Sequence, residues 1–93
     1  MTIIEYADMI RADLVIRKHH NQCQRWTASF EHAETKRGDV DIMLTSTYGE
    51  GDTVNQAINN YIDELKGKII VLNSTSKTNR KEYGVPSTIE YEA

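Results

Sequence analysis

Gly49-Glu50-Gly51 runs straight into Asp52-Thr53 and an amphipathic stretch, an arrangement that can cradle a phosphate on free helix-start amides. Phosphate loops usually add a lysine and more glycine. Glu50 and Asp52 put negative charge there instead, which suits the helix dipole and opposes an anion. The segment therefore reads as a structural turn. His19, His20, Cys23 and His32 are the side chains that could ligate a metal, but their spacing matches no familiar zinc pattern and there is no second cysteine. Glu31, Asp39 and Asp41 could form an acidic site. Paired carboxylates do acid–base work only in a cleft that raises one pKa, so this group reads as a solvated strand face. No Ser-His-Asp or Cys-His grouping suggests a nucleophile. The expectation is a protein without a cofactor or metal that is not an enzyme.

The elements that would hold these residues follow from periodicity and caps. Thr2 and Glu5 form a capping-box pattern, and Ile3, Ala7, Ile10 and Leu14 recur at helical spacing. A first helix is predicted over about residues 3–12. Leu14-Val15-Ile16 reads as a first strand, and His19 to Gln24 as a loop. Trp26, Ala28, Phe30 and His32 alternate with polar residues, which predicts a second strand with one buried face. Lys36-Arg37-Gly38-Asp39 is turn chemistry. Val40, Ile42, Leu44, Ser46 and Tyr48 then alternate along a third strand over 39–48, so 25–48 reads as a hairpin.

Thr53 and Gln56 make a second capping box. Val54, Ala57, Ile58, Tyr61, Ile62 and Leu65 form one apolar stripe, and Gly67 stands where a left-handed helix cap belongs. Ile69 to Leu72 is apolar on both faces and predicts a covered strand. The predicted class is α+β, order α-β-β-β-α-β, with one antiparallel sheet and both helices on one face. Residues 1–73 are expected to form a single globular domain. Residues 74–93 read as a polar tail with a short edge strand at 82–86, ended by the single proline. Trp26, Tyr48 and Tyr61 are core candidates. Tyr6, Tyr83 and Tyr91 are candidates for exposed contacts, and residues 88–91 could pair with another sheet edge.

At 93 residues the chain suits one domain with a modest core. The net charge of −3 argues against nonspecific duplex binding, which favours a basic excess. One cysteine fits a reducing compartment, and no signal peptide or membrane-length apolar run is visible. A cytoplasmic location is expected, with no membrane partner.

The predicted order, with Gly49, Gly51, Thr53, Ala57 and Leu65 at the turn and second helix and Trp26 to Phe30 as second strand, resembles the double-stranded-RNA-binding domain. That resemblance implies duplex-RNA binding, for which His19, His20, Lys77, Arg80 and Lys81 are the candidates. Where members of that family carry lysines in the first turn of the second helix, this chain has Val54, Asn55 and Gln56. Gly51-Asp52-Thr53 followed by Ala57-Ile58 is similar to the helix entry of HicB-like antitoxins.

A broader resemblance, to small phage-encoded accessory proteins, rests on five segments. They are Trp26-Thr27-Ala28-Ser29-Phe30, Tyr48-Gly49-Glu50-Gly51, Ala57-Ile58-Asn59-Asn60-Tyr61, Gly67-Lys68-Ile69-Ile70-Val71 and Asn79-Arg80-Lys81-Glu82-Tyr83-Gly84-Val85-Pro86. This resemblance implies a phage or prophage protein of anti-defence or anti-CRISPR type, working in the host cytoplasm. It would inhibit a host defence or nucleic-acid-processing complex by surface binding. The expected partner is a host protein or ribonucleoprotein complex, with a homodimer also open. Contact candidates are Tyr6, Glu31, Asp39, Asp41, Lys77, Arg80, Lys81, Tyr83 and Tyr91. The alternatives are nucleic-acid binding, a sponge for a signalling nucleotide, or an antitoxin.

Overall fold

Thr2 starts the first helix, α1 (Ile3–Ile10), through a complete capping box. Its hydroxyl receives the Glu5 N–H at 3.1 Å, and the Glu5 carboxylate receives the Thr2 N–H at 2.9 Å. Two donors that a helix start leaves unpaired are thereby satisfied. The helix ends earlier than its periodicity predicts because Arg11 turns left-handed, with φ 56°. The structure, a computed structural model, describes residues 1–20, 25–36 and 43–91. Asp39, Asp41, Cys23 and most of the turn expected at 36–39 lie outside the described residues.

The second helix, α2 (Val54–Leu65), has the expected bounds. The Thr53 hydroxyl accepts the Gln56 N–H at 3.1 Å, but the Gln56 side chain returns to the N–H of Asp52, at 2.9 Å, rather than to that of Thr53. Ala57, Ile58, Tyr61, Ile62 and Leu65 are buried along its inner stripe. Gly67 follows at φ 74°, the left-handed conformation expected of it.

The class is α+β, with two helices and six strands among the described residues. The strands do not form the single sheet that the sequence suggests. β1 (Leu14–Lys18), β2 (Trp26–Phe30) and β4 (Gly49–Gly51) make one antiparallel sheet in the order β1-β2-β4. β3 (Ala33–Lys36), β5 (Ile69–Leu72) and β6 (Lys81–Gly84) make a second, in the order β3-β5-β6. The division happens at Glu31-His32. The Glu31 N–H still bonds the Asp13 carbonyl beside β1, whereas His32, at φ 57°, offers its carbonyl to the N–H of Asn73 beyond β5. His32 is therefore exposed at the switch rather than on a buried strand face. The expected 25–48 hairpin is replaced by a crossing between sheets. Within the third strand expected over 39–48, residues 39–42 lie outside the described residues. Thr45 makes only an isolated bridge to Thr35, and regular pairing resumes at Gly49.

The core lies between these layers. Tyr6 of α1, Phe30 of β2 and Tyr61 of α2 meet with ring centroids 6.3 and 5.7 Å apart. α1 also reaches the second sheet, where the Tyr6 hydroxyl donates to the Gly84 carbonyl at 3.0 Å. Gly49 and Gly51 are strand residues with α2 pressed against them. A Cβ at Gly49 would stand 2.1 Å from the Ala57 carbonyl oxygen, and one at Gly51 2.5 Å from the Gln56 Cβ. Their service is close approach, not a turn. The stretch after β5 also returns to the body: Val85 and Ile89 are buried in the core. The main chain of Glu90 exchanges hydrogen bonds with Met1 and Ile3. No described helix is long and apolar enough to cross a membrane.

Candidate functional site

α2 and α1 cover the face of the first sheet that carries Ala28 and Phe30. Cross-strand partners share a face, so the register assigns the opposite side. Arg17, Thr27 and Glu50 stand in one row and Val15 and Ser29 in the next. This uncovered side forms an open groove of about 600 Å³ with Tyr48, His19 and Arg25 along its margin. The wet alternation of β1 and β2 produces it: Val15 and Arg17 on one strand, Thr27 and Ser29 on the other, each a residue out of step with the core positions.

Two sets of contacts organise the groove. The His19 imidazole Nε2 lies 2.9 Å from the Thr27 hydroxyl, which ties the strand end to the sheet face. Arg25 lies between two carboxylates, with its Nε 3.7 Å from Glu50 and 3.5 Å from Asp52. Arg17 adds an exposed cation on β1, and Tyr48 stands 56% exposed just before β4. The groove thus offers a guanidinium, a partly neutralised guanidinium, hydroxyls, a carboxylate and an aromatic ring. Such a set suits recognition of a mixed polar surface. Among the described residues no group of three or more His, Cys, Asp and Glu side chains is placed to hold a metal ion.

The residues singled out from the sequence scatter. Tyr6 is not an exposed contact: it is 0% exposed and hydrogen-bonded across the core. Tyr48, expected inside, is outside, because β4 begins after it. Tyr83 and Tyr91 are half-buried and pack against the core. Glu31 is exposed at the margin of the groove, with its carboxylate 3.8 Å from His32. His19 lines the groove, and exposed His20 follows it.

Lys77, Arg80 and Lys81 belong instead to the loop before β6 and to β6 itself, in the second sheet. There Arg80 is 3.1 Å from the Glu82 carboxylate, and the Lys36 ammonium is 2.7 Å from the same group. Hydrogen bonds from Lys36 and then Arg80 hold the Glu82 pKa below its ordinary value. Ser74 also bonds Glu34, so this side of the second sheet is a polar network lying over fully buried Val71. The sequence does not single out Arg17 or Arg25 as site residues, and in it Tyr48 reads as core and Glu50 as part of a structural turn. The signal was present in the polar alternation of β1 and β2, but it marks a wet face without saying that the face is concave.

No family model, curated protein or solved structure matches this chain.

Proposed function

We propose that this chain is a non-enzymatic protein-interaction module that works by occupying a partner's surface. The uncovered face of the first sheet carries the reading. It presents exposed Tyr48 beside the Arg17–Thr27–Glu50 row, and aromatic and arginine side chains are the common anchors of protein interfaces. Its two signs of charge would fix the partner's register more than add raw affinity. The class of partner, a host defence or nucleic-acid-processing complex met by a phage or prophage accessory protein, rests on the resemblance of the five segments quoted above. Duplex-RNA binding is the second reading. It is favoured by the order α1, β1, β2, β4, α2 around the first sheet, and it is opposed by Asp52, Asn55 and Gln56 at the start of α2.

Affinity capture from a bacterial lysate with the wild-type chain and with Tyr48→Ala and Arg17→Glu variants tests the proposal. A defined host complex retained by the wild type and lost by both folded variants supports it. Capture indifferent to both substitutions, or a salt-dependent shift of duplex RNA with no protein partner, overturns it.

A further inference from the structure

β1 closes one side of the first sheet. β2 lies on its inner flank, and no strand among the described residues pairs with its outer flank. The direction of its main chain follows from two bonds: His19 N–H to the Arg25 carbonyl at 2.8 Å, and Glu31 N–H to the Asp13 carbonyl at 2.9 Å. In an antiparallel ladder hydrogen-bonded pairs alternate with non-bonded ones. The main chains of Asp13, Val15, Arg17 and His19 therefore point at β2, and those of Leu14 and Ile16 point outward. Ile16 is 37% exposed beside this outer flank. Natural sheets protect such edges with charge, a cover or a partner; Arg17 and Lys18 supply charge at the far end of β1, while Leu14-Val15-Ile16 carries none.

We infer that this edge pairs with β1 of a second copy, antiparallel, with Val15 on the two-fold axis. The edge is complementary to itself in that register and that register only. Asp13, the residue just before β1, continues its register through the Glu31 bond and falls on the same face as Arg17, on the other side of Val15. Reversing the second strand about Val15 sets each Asp13 opposite Arg17 of the second copy. It also sets Leu14 opposite Ile16 of the second copy, as a pair whose outward N–H and C=O groups can exchange both hydrogen bonds. The exposed Ile16 side chain then meets Leu14, which packs against the core. Centring the axis on Ile16 instead would set Val15 against Arg17 and leave the carboxylate of Asp13 unmatched by either arginine. The arrangement is isologous and closed, as most homo-oligomers are. It would join the uncovered faces of two copies into one surface with Val15 from each at its middle. It does not depend on the proposed function, since it needs only the strand edge.

A contact confined to one strand edge sits at the small end of specific interfaces, so dilution should dissociate it. Sedimentation velocity over a concentration series of the full chain is the test, with circular dichroism as the control for folding. The wild type is expected to pass from monomer to dimer. Ile16→Pro deletes an outward N–H while sparing the bonds to β2, a placement that edge strands tolerate, and should abolish the dimer. Asp13→Arg and Arg17→Asp each set like charges opposite and should weaken association about tenfold. The double variant D13R/R17D restores opposite charges and should recover it. A wild type that is monomeric throughout, a dimer indifferent to a folded Ile16→Pro variant, or a double variant that stays dissociated would overturn the inference.

Discussion

The hydroxyl of Tyr61 accepts the backbone N–H of Phe30 at 3.0 Å. Phe30 turns its main chain away from β1 toward β4, but β4 begins at Gly49 opposite Ala28, one bonded pair short. The residue that would complete the ladder, Thr47, bonds Thr35 instead, hydroxyl to hydroxyl at 2.6 Å. A helix side chain thus fills a vacancy in a sheet, and the edge-on Phe30–Tyr61 ring contact fixes its approach.

Tyr61→Phe removes that acceptor and leaves a buried N–H unpaired. The expected cost is about 1–3 kcal/mol, read as a lower midpoint in urea without a change of slope. A loss within error of zero would mean that water or a shifted strand replaces the hydroxyl.

Alkaline pH should act through the same cluster. Burial pushes the Tyr61 hydroxyl up to about 12, against the smaller opposing effect of the Phe30 N–H. Burial also pushes the Tyr6 hydroxyl up to about 12, with Tyr83 and Tyr61 adding to it. Both groups bind their protons more tightly folded than unfolded. Their contribution is present below the unfolded value of 10.0 and is lost as pH rises through the folded value near 12. The part of the tyrosinate absorbance that the Tyr6→Phe and Tyr61→Phe variants lack should rise together with the loss of far-ultraviolet circular dichroism. Ionisation of Tyr6 and Tyr61 well before unfolding would contradict this.

Gly49→Ala and Gly84→Ala form a contrasting pair. The added methyl at Gly49 meets the backbone of α2 at 2.1 and 2.3 Å, while at Gly84 it meets nothing within 4 Å. Separating α2 from β4 should cost about 3 kcal/mol or more, beyond the usual range for overpacking, because backbone cannot step aside. Gly84→Ala should leave the melting temperature nearly unchanged. Thermal melts of the two variants decide the matter, and equal effects would refute the close-approach reading.

Acid should be felt at Glu82. Its pKa is lowered in the folded chain by Lys36 and Arg80, so its contribution is present above the unfolded value and fades as pH falls through the folded one. Glu82→Gln should therefore flatten the acid limb of the stability profile and leave the alkaline limb as it is. Chemical denaturation at a series of pH values checks both limbs.

Both helices were legible because their signals are local. Thr2 with Glu5, Thr53 with Gln56, and apolar stripes at helical spacing need no knowledge of distant chain. β3 was not legible. Ala33-Glu34-Thr35-Lys36 has no hydrophobic alternation, and it becomes a strand because β5 pairs with it and because Thr45 and Thr47 bond buried Thr35. The split into two sheets hangs on the left-handed backbone at His32, a non-glycine residue whose conformation its side chain does not announce. Tyr6 and Tyr48 lie on the opposite sides from those the sequence suggests, for related reasons. Tyr6 flanks the apolar stripe of α1, and only Gly84 on a distant strand gives its hydroxyl a buried acceptor. Tyr48 keeps the alternation of the strand expected over 39–48, but the chain leaves that register before β4. The groove was half legible, as a polar face without a shape.

β3 and β5 are neighbours in space, yet β4 and α2 lie between them along the chain. This nesting ranks the steps of folding. Closing a loop costs less entropy when the enclosed segment is already condensed, and α2 packs most closely on β4, which precedes it directly in the chain, and on β2. The order of assembly is then built into the topology, from the inside outward. In pulse-labelled hydrogen exchange, amides of β2 and α2 should gain protection before those of β5, although Val71 at the centre of β5 ends as thoroughly enclosed as any residue in the molecule.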